Sequence, residues 1–242
     1  MTGVNLPTPA SALAIGAHPD DIEFGCGGTL AKWAAAGTAI HHLVLTDGSK
    51  GSWDPDEDLA RLVATRQDEQ RAAAAALGGR APVVFLGWPD GELEAGLRQR
   101  WQVAYWIRVV RPEVVLGHDP WKRYRIHPDH RHAGFLTTDG IVAARDPHFF
   151  PEQQVAPHRP GRLLLWEADE IDHVEDVSGF EERKIEALLA HRSQFRSTMR
   201  IEDPSAGEEL EGFRRRVINR LTEHGALAAL GAGEGFKLVD RL

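Results

Sequence analysis

Two short segments carry most of the chemistry legible in this chain: His18-Pro19-Asp20-Asp21 and His127-Pro128-Asp129-His130. Imidazoles and carboxylates bind divalent cations through nitrogen and oxygen. One imidazole and one carboxylate from the first segment, with an imidazole from the second, fill three positions of a tetrahedral zinc ion. The fourth is left for water, whose pKa falls to about 7 on such an ion, giving a nucleophile near neutral pH. A spare carboxylate beside it can accept the proton. His18, Asp20, Asp21 and His130 are therefore the centre of a candidate hydrolytic site. A lone His-Pro-Asp reads more readily as a turn whose aspartate caps a helix. Two of them, each past a predicted strand, are not accounted for by capping.

These segments need a scaffold that brings them to one place. Residues 12–17, 40–46, 83–87 and 114–117 are compact apolar runs of strand length. Helical stretches alternate with them at 29–36, after a glycine-rich turn, and at 59–77, 97–110 and from Pro128 toward 144. Gly78-Gly79 supplies a stop for the second helix, and Pro128 suits a first turn. Further strands are predicted at 163–166 and 174–177, and a helix over 180–195. Alternation at these lengths calls for right-handed crossovers and a parallel sheet covered on both faces. The predicted fold is α/β, a Rossmann-like, mostly parallel sheet with helices on both faces, forming one domain over residues 1–242. Ligands of such sheets bind past the carboxyl ends of the strands, where both motifs fall. The stretches 48–58 and 119–126 read as surface loops flanking the site.

Gly25, Gly27 and Gly28 invite a nucleotide reading, but Leu30 occupies the third glycine position of G-x-G-x-x-G. The carboxylates of that turn would also repel a pyrophosphate. Composition narrows the classes further. With 42% hydrophobic and 26% charged residues, the chain is an ordinary globular protein able to bury a sizeable core. A net charge of -8 disfavours nucleic acid and anionic membrane surfaces as partners. The single cysteine, Cys26, forms no internal disulfide, no apolar run reaches transmembrane length, and the first ten residues lack a basic segment followed by an apolar core. A cytoplasmic protein without membrane insertion is expected, with a small molecule as its partner and room for homo-oligomerisation.

The segment from Ala17 to Asp21, followed by Glu23 and Gly25-Cys26-Gly27-Gly28-Thr29-Leu30, closely resembles the opening of the LmbE-like, or PIG-L, N-deacetylases. His127-Pro128-Asp129-His130 is similar to their second motif. Thr46 with Gly48, Arg66 with Glu69, Leu86-Gly87 and Asp90-Gly91 are further matches, as are Lys184, the run His191 to Gln194, and the close at Glu234 to Phe236. The resemblance spans nearly the whole chain. It implies Zn2+ held by His18, Asp21 and His130, with another divalent metal such as Fe2+ also suited to the donors. It implies Asp20 as general base and acid, His127 stabilising the oxyanion of the tetrahedral intermediate, and Asp129 orienting or polarising it. Arg66 becomes a candidate for gripping a sugar hydroxyl or phosphate; otherwise it is a surface arginine paired with Glu69 on one helix. The implied reaction is hydrolysis of an N-acyl, chiefly N-acetyl, group from an amino sugar or glucosaminyl conjugate. A metal-dependent amidase with a non-sugar substrate is the first alternative. A non-catalytic, metal-containing carbohydrate-binding protein is the second, and a spare base at Asp20 argues against it.

Mycothiol-pathway members of that family carry a tyrosine two residues before the second motif, where this chain has Arg125, with Tyr124 one position further away. A tyrosine in the oxyanion hole is therefore not expected. His41 and His42 read as a buried-edge and a surface histidine, His132 as a helical surface residue, and His191 as a donor toward a site carboxylate. Cys26 reads as a small packed residue. Trp53, Trp88 and Trp121 fall near strand ends, where sugar stacking and ordinary packing both suit an indole.

Overall fold

The computed structural model describes residues 2–205 and 207–242. Its strands, in chain order, are β1 (Gly3–Val4), β2 (Ser11–Gly16), β3 (Ala39–Thr46), β4 (Val84–Trp88), β5 (Val114–His118), β6 (Arg162–Trp166), β7 (His173–Asp176) and β8 (Gly233–Val239). They form one sheet in the order β1-β7-β8-β6-β5-β2-β3-β4. Every pairing is parallel except those of β8, which runs antiparallel to β6 and β7. The helices are α1 (Asp21–Ala35), α2 (Leu59–Ala76), α3 (Leu97–Val110), α4 (Pro128–Arg145), α5 (Glu181–Leu189) and α6 (Gly207–Ala226).

Side chains alternate across the sheet, as a strand period of two requires. Leu13, Ile15, Val115 and Leu165 pack on the face covered by α3 and α4, with Val103, Ile107 and Leu136. Ala12, Ala14, Leu116 and Leu164 pack on the other, with Leu30 and Trp33 of α1. After β2 the chain builds β3 and β4 on one side, then returns to place β5 on the other. The gap between β2 and β5 is thus the switch point of the sheet, the place where an open α/β sheet opens a crevice. His18 follows β2, and the loop carrying His127 follows β5.

Three expectations change. The glycines after Glu23 are not a turn: α1 starts at Asp21 and runs through them, broken at Cys26 (φ -148°, ψ 19°). Gly25 is required by proximity, since a Cβ there would lie 2.5 Å from the Trp166 ring. The amides of Gly28 and Thr29, freed by the break, donate to the two oxygens of Glu234 on β8. The second change is that α5 ends at Leu189 instead of reaching residue 195. A 3-10 turn (Arg192–Gln194) and a π-helical turn (Phe195–Met199) follow, because His191 leaves the helical path and its ring is buried on Glu23. The third is that His42 is fully buried and His41 half-buried, so neither is a surface histidine.

The helix α6 was not anticipated, although Phe213, Val217 and Leu221 form its buried stripe at helical spacing. No described helix is long and apolar enough to cross a membrane.

Candidate metal and catalytic site

The backbone entering α1 is constrained from several sides. Thr46 donates its hydroxyl proton to the Ala17 carbonyl, and Arg66 donates from Nη2 to Pro19 O (2.6 Å) and from Nη1 to Gly48 O (2.8 Å). Asp20 precedes the helix in a left-handed conformation, φ 104°. A non-glycine residue holds such a backbone only when its surroundings impose it, and such residues cluster at functional sites. Here the Asp20 amide donates to Gln70 Oε1 (3.0 Å), and Gln70 Nε2 donates in turn to Glu23.

Three side chains converge where β2 and α4 meet. His18 Nδ1 lies 3.3 Å from Asp21 Oδ2, His130 Nε2 lies 3.2 Å from the other Asp21 oxygen, Oδ1, and His130 Nε2 lies 3.2 Å from His18 Nδ1. A tetrahedral cation about 2.0–2.1 Å from each ligand separates them by roughly 3.3–3.4 Å, so the two ring nitrogens, with one oxygen of the carboxylate that spans them, suit a zinc-sized ion. Asp21 Oδ2 accepts from the His18 amide (2.6 Å), which leaves Oδ1 facing His130.

His18 is gripped from behind. Its Nε2 lies 3.1 Å from Asp129 Oδ2 and 3.2 Å from Asp90 Oδ1, both carboxylates being buried. With the ring proton on Nε2, Nδ1 presents its lone pair to the centre, the arrangement that metal-binding histidines ordinarily show. Asp129 also accepts from the amides of Gly91 and Leu93; against the effect of burial, the contact with His18 first and then these amides hold its carboxyl below the usual range. Asp129 therefore orients His18; none of its hydrogen bonds goes to His127. The helix explains why, since residues two apart near its start point to nearly opposite sides. His127 and His130, three apart, stack instead, with centroids 4.5 Å apart. Burial lowers the His127 pKa, and His18 and His130 lower it further, leaving a neutral ring near pH 7.

Burial pushes the Asp20 carboxyl up to about 6, opposed chiefly by Arg66, whose Nη2 is 3.5 Å from Asp20 Oδ2. Arg66 is buried and forms no ion pair with Glu69, whose carboxylate accepts from Ser193 instead. Both its terminal nitrogens are committed to backbone carbonyls, and its Nε is unpaired. His191 is fully buried with Nε2 3.3 Å from Glu23 Oε2, three hydrogen bonds behind Asp20 through Glu23 and Gln70.

Sequence reasoning did not single out Asp90 as a partner of His18, and it missed His118 entirely. His118 ends β5, with Nε2 3.3 Å from Asp21 Oδ2. Its Nδ1 accepts from Trp166 Nε1 (3.0 Å) and faces Arg125 Nη1 (3.1 Å). Arg125 is also ion-paired with Glu167 at 2.8 Å, while Tyr124 is 94% exposed, so no tyrosine of that loop reaches the site. A histidine at the carboxyl end of a strand next to the switch point was the signal available. His132 is half-buried against the Leu93 carbonyl, and Cys26 is buried and free. Trp88 donates to Gln102, Trp121 is exposed, and Trp53, also exposed, lines the cavity above the site.

That cavity measures about 880 Å³. His18, Asp20, Asp21, His127 and His130 line it, as do residues of α6 and of the turn at Ser197, Thr198 and Arg200.

Comparison with known proteins places the chain in a family. The family model described as PIG-L, GlcNAc-PI de-N-acetylase, matches residues 13–141. The diacetylchitobiose deacetylase of Thermococcus kodakarensis is 36% identical over 186 residues, covering 76% of this chain and 69% of that protein. The 1D-myo-inositol 2-acetamido-2-deoxy-alpha-D-glucopyranoside deacetylase of Mycolicibacterium vanbaalenii is 31% identical, covering 76% and 81%. Among solved structures, the N,N'-diacetylchitobiose deacetylase of Pyrococcus horikoshii superposes with a TM-score of 0.85 at 28% identity, over 96% of this chain and 84% of that one.

Proposed function

Since this chain belongs to the PIG-L family of de-N-acetylases, we propose that it hydrolyses the N-acetyl group of an amino sugar or glucosaminyl conjugate, using a divalent cation held by His18, Asp21 and His130. The observation that carries this reading is the approach of His18 Nδ1 to His130 Nε2 (3.2 Å), with the Asp21 carboxylate against both, Oδ2 3.3 Å from His18 Nδ1 and Oδ1 3.2 Å from His130 Nε2. Zinc suits two imidazoles and one carboxylate best, and it would supply Lewis acidity and a water of lowered pKa.

The remaining work falls to the chain's own groups. Asp20 Oδ atoms take the proton of the attacking water and return it to the leaving amine; a carboxyl poised near 6 suits both directions. Neutral His127 offers an N–H to the developing oxyanion. Asp129 and Asp90 hold His18 in the tautomer that leaves Nδ1 free. Arg66 fixes the loop that carries Asp20, in addition to any contact it makes with a sugar hydroxyl.

Metal analysis of the purified protein, with a fluorescamine assay of released amine over N-acetyl sugars and N-acetyl amines lacking a sugar, tests the reading. One equivalent of divalent metal, and release from the sugars alone, is expected. His130→Ala should lose most of the metal. Full metal retention by that variant would remove His130 from the ligand set, and preference for the non-sugar amides would make the protein an amidase of another class.

A further inference from the structure

Arg66 and Gln70 stand one turn apart on α2 and so share one face of it. Both are buried, and both reach the same peptide bond. Arg66 Nη2 donates to the Pro19 carbonyl (2.6 Å), and Gln70 Oε1 accepts from the Asp20 amide (3.0 Å). Those groups are the two polar ends of the single planar unit that joins Pro19 to Asp20. Rotation between that unit and the Asp20 Cα is the φ of Asp20, the angle held at 104°. A residue with a Cβ stays in this region only under restraint. A grip on both ends of the peptide is such a restraint.

An amide head group can turn either of its ends toward Asp20, and Glu23 decides which. A carboxylate only accepts, so the Gln70 atom 2.7 Å from Glu23 Oε1 is Nε2, and Oε1 is left for the Asp20 amide. The second Glu23 oxygen faces His191 Nε2 at 3.3 Å, the one hydrogen-bond partner of that ring among the described residues. Like Gln70, both Glu23 and His191 are fully buried. His191 holds Glu23, Glu23 sets the direction of Gln70, and Gln70 with Arg66 sets the backbone of Asp20.

Packing alone does not call for this row. Apolar side chains of similar volume fill such space at little or no loss of stability, whereas a buried polar group costs whenever a partner is missing. Glu23 is the least expected of the three, since its one ion pair among the described residues is with His191 and not with a lysine or arginine.

We propose that Gln70, oriented by Glu23 and His191, is a positioning residue for Asp20, holding the Pro19–Asp20 peptide in the plane that aims the Asp20 carboxyl at the reacting groups. This rests on Asp20 as the base of the reaction proposed above.

Hydrogen exchange of the Asp20 amide, followed by NMR, tests the clamp without turnover. Gln70→Leu removes the acceptor, so that amide should exchange about tenfold faster or more, while the amides of β2 and α2 keep their rates. In the amine-release assay the same variant should lose about 10- to 100-fold in kcat, the effect of a slightly misplaced group, with KM and bound metal unchanged. Gln70→Met, unbranched like glutamine, makes the same comparison where the leucine variant does not fold. The rescue is a swap, Glu23→Gln with Gln70→Glu. The carboxylate at position 70 then accepts from the Asp20 amide and from the side-chain amide at position 23, whose oxygen accepts from His191. Every bond of the row is kept, so protection of the Asp20 amide should return and kcat should recover most of its loss. Wild-type exchange or wild-type kcat in the apolar variants, or a swap that leaves the amide unprotected, overturns the proposal and reduces Gln70 to packing. A wild-type protein that releases no amine from N-acetyl sugars overturns the amino-sugar reading instead, and the exchange rates still decide the clamp.

Discussion

His118 Nε2 lies 3.3 Å from Asp21 Oδ2, and both side chains are buried. The other face of the imidazole decides what this contact is. Nδ1 meets an indole N–H and a guanidinium, which only donate, so Nδ1 must carry a lone pair and Nε2 the proton. The Ala17 amide, 3.5 Å from Nε2, is at the limit of hydrogen-bonding distance and does not compete. His118 is thus a donor to the carboxylate of a proposed metal ligand, through a tautomer set by Trp166 and Arg125.

His118→Ala should therefore weaken divalent-metal affinity by about 10- to 100-fold, the usual effect of losing such an outer partner. His118→Gln, which keeps an N–H donor, should recover part of it. Competition against a chromophoric chelator measures both. Unchanged affinity in the alanine variant would reduce His118 to packing between the ring of His130 and Trp166.

Asp20→Asn should keep the metal and lose turnover by about 10²- to 10⁴-fold, because the amide cannot accept the proton. Metal content and steady-state rates on one preparation decide the matter. If the metal leaves and the rate per bound ion holds, the roles of Asp20 and Asp21 are exchanged.

His127→Ala should lower kcat by roughly two orders of magnitude, as expected for an oxyanion donor, with metal content and KM little changed. The ring makes no side-chain cap to its helix, so a purely structural role has little to rest on. A normal kcat with a lowered melting temperature would take His127 out of the reaction.

Glu175 supplies a test of pH-dependent stability far from the metal. It accepts from Leu6 N (2.7 Å), His173 Nε2 (2.7 Å) and Lys32 Nζ (2.5 Å), tying the segment after β1, β7 and α1 together. Burial would raise its pKa, but these partners hold it below the ordinary value. A depressed folded pKa contributes stability that is complete above the unfolded value of about 4.3 and lost as pH falls through the folded one. Glu175→Gln should cost about 1–3 kcal/mol at pH 7, a few degrees in Tm, and progressively less below about pH 4. Melts of the two proteins from pH 7 to pH 3 should converge. A gap independent of pH would show that shape, not charge, is what Glu175 contributes.

The residue types at 18, 20, 21, 127, 129 and 130, their local spacing and the alternation of strands with helices were all legible in the chain, because each is local information. Apolar runs of strand length and helices between them leave little alternative to a parallel sheet, and such a sheet places both motifs at strand ends. Tertiary structure alone decided which partners they meet. His18 and Asp129 are 111 positions apart, and Asp21 and His118 are 97 apart, so the register of β2 beside β5 brings them together. Glycines read as a turn became a broken helix because Trp166 and Glu234, distant in sequence, supply the close approach and the acceptors that the break requires. The direction of a side chain follows from helix phase and the tautomer of a ring from its neighbours. Neither is encoded at the residue itself; both are settled only when the elements pack.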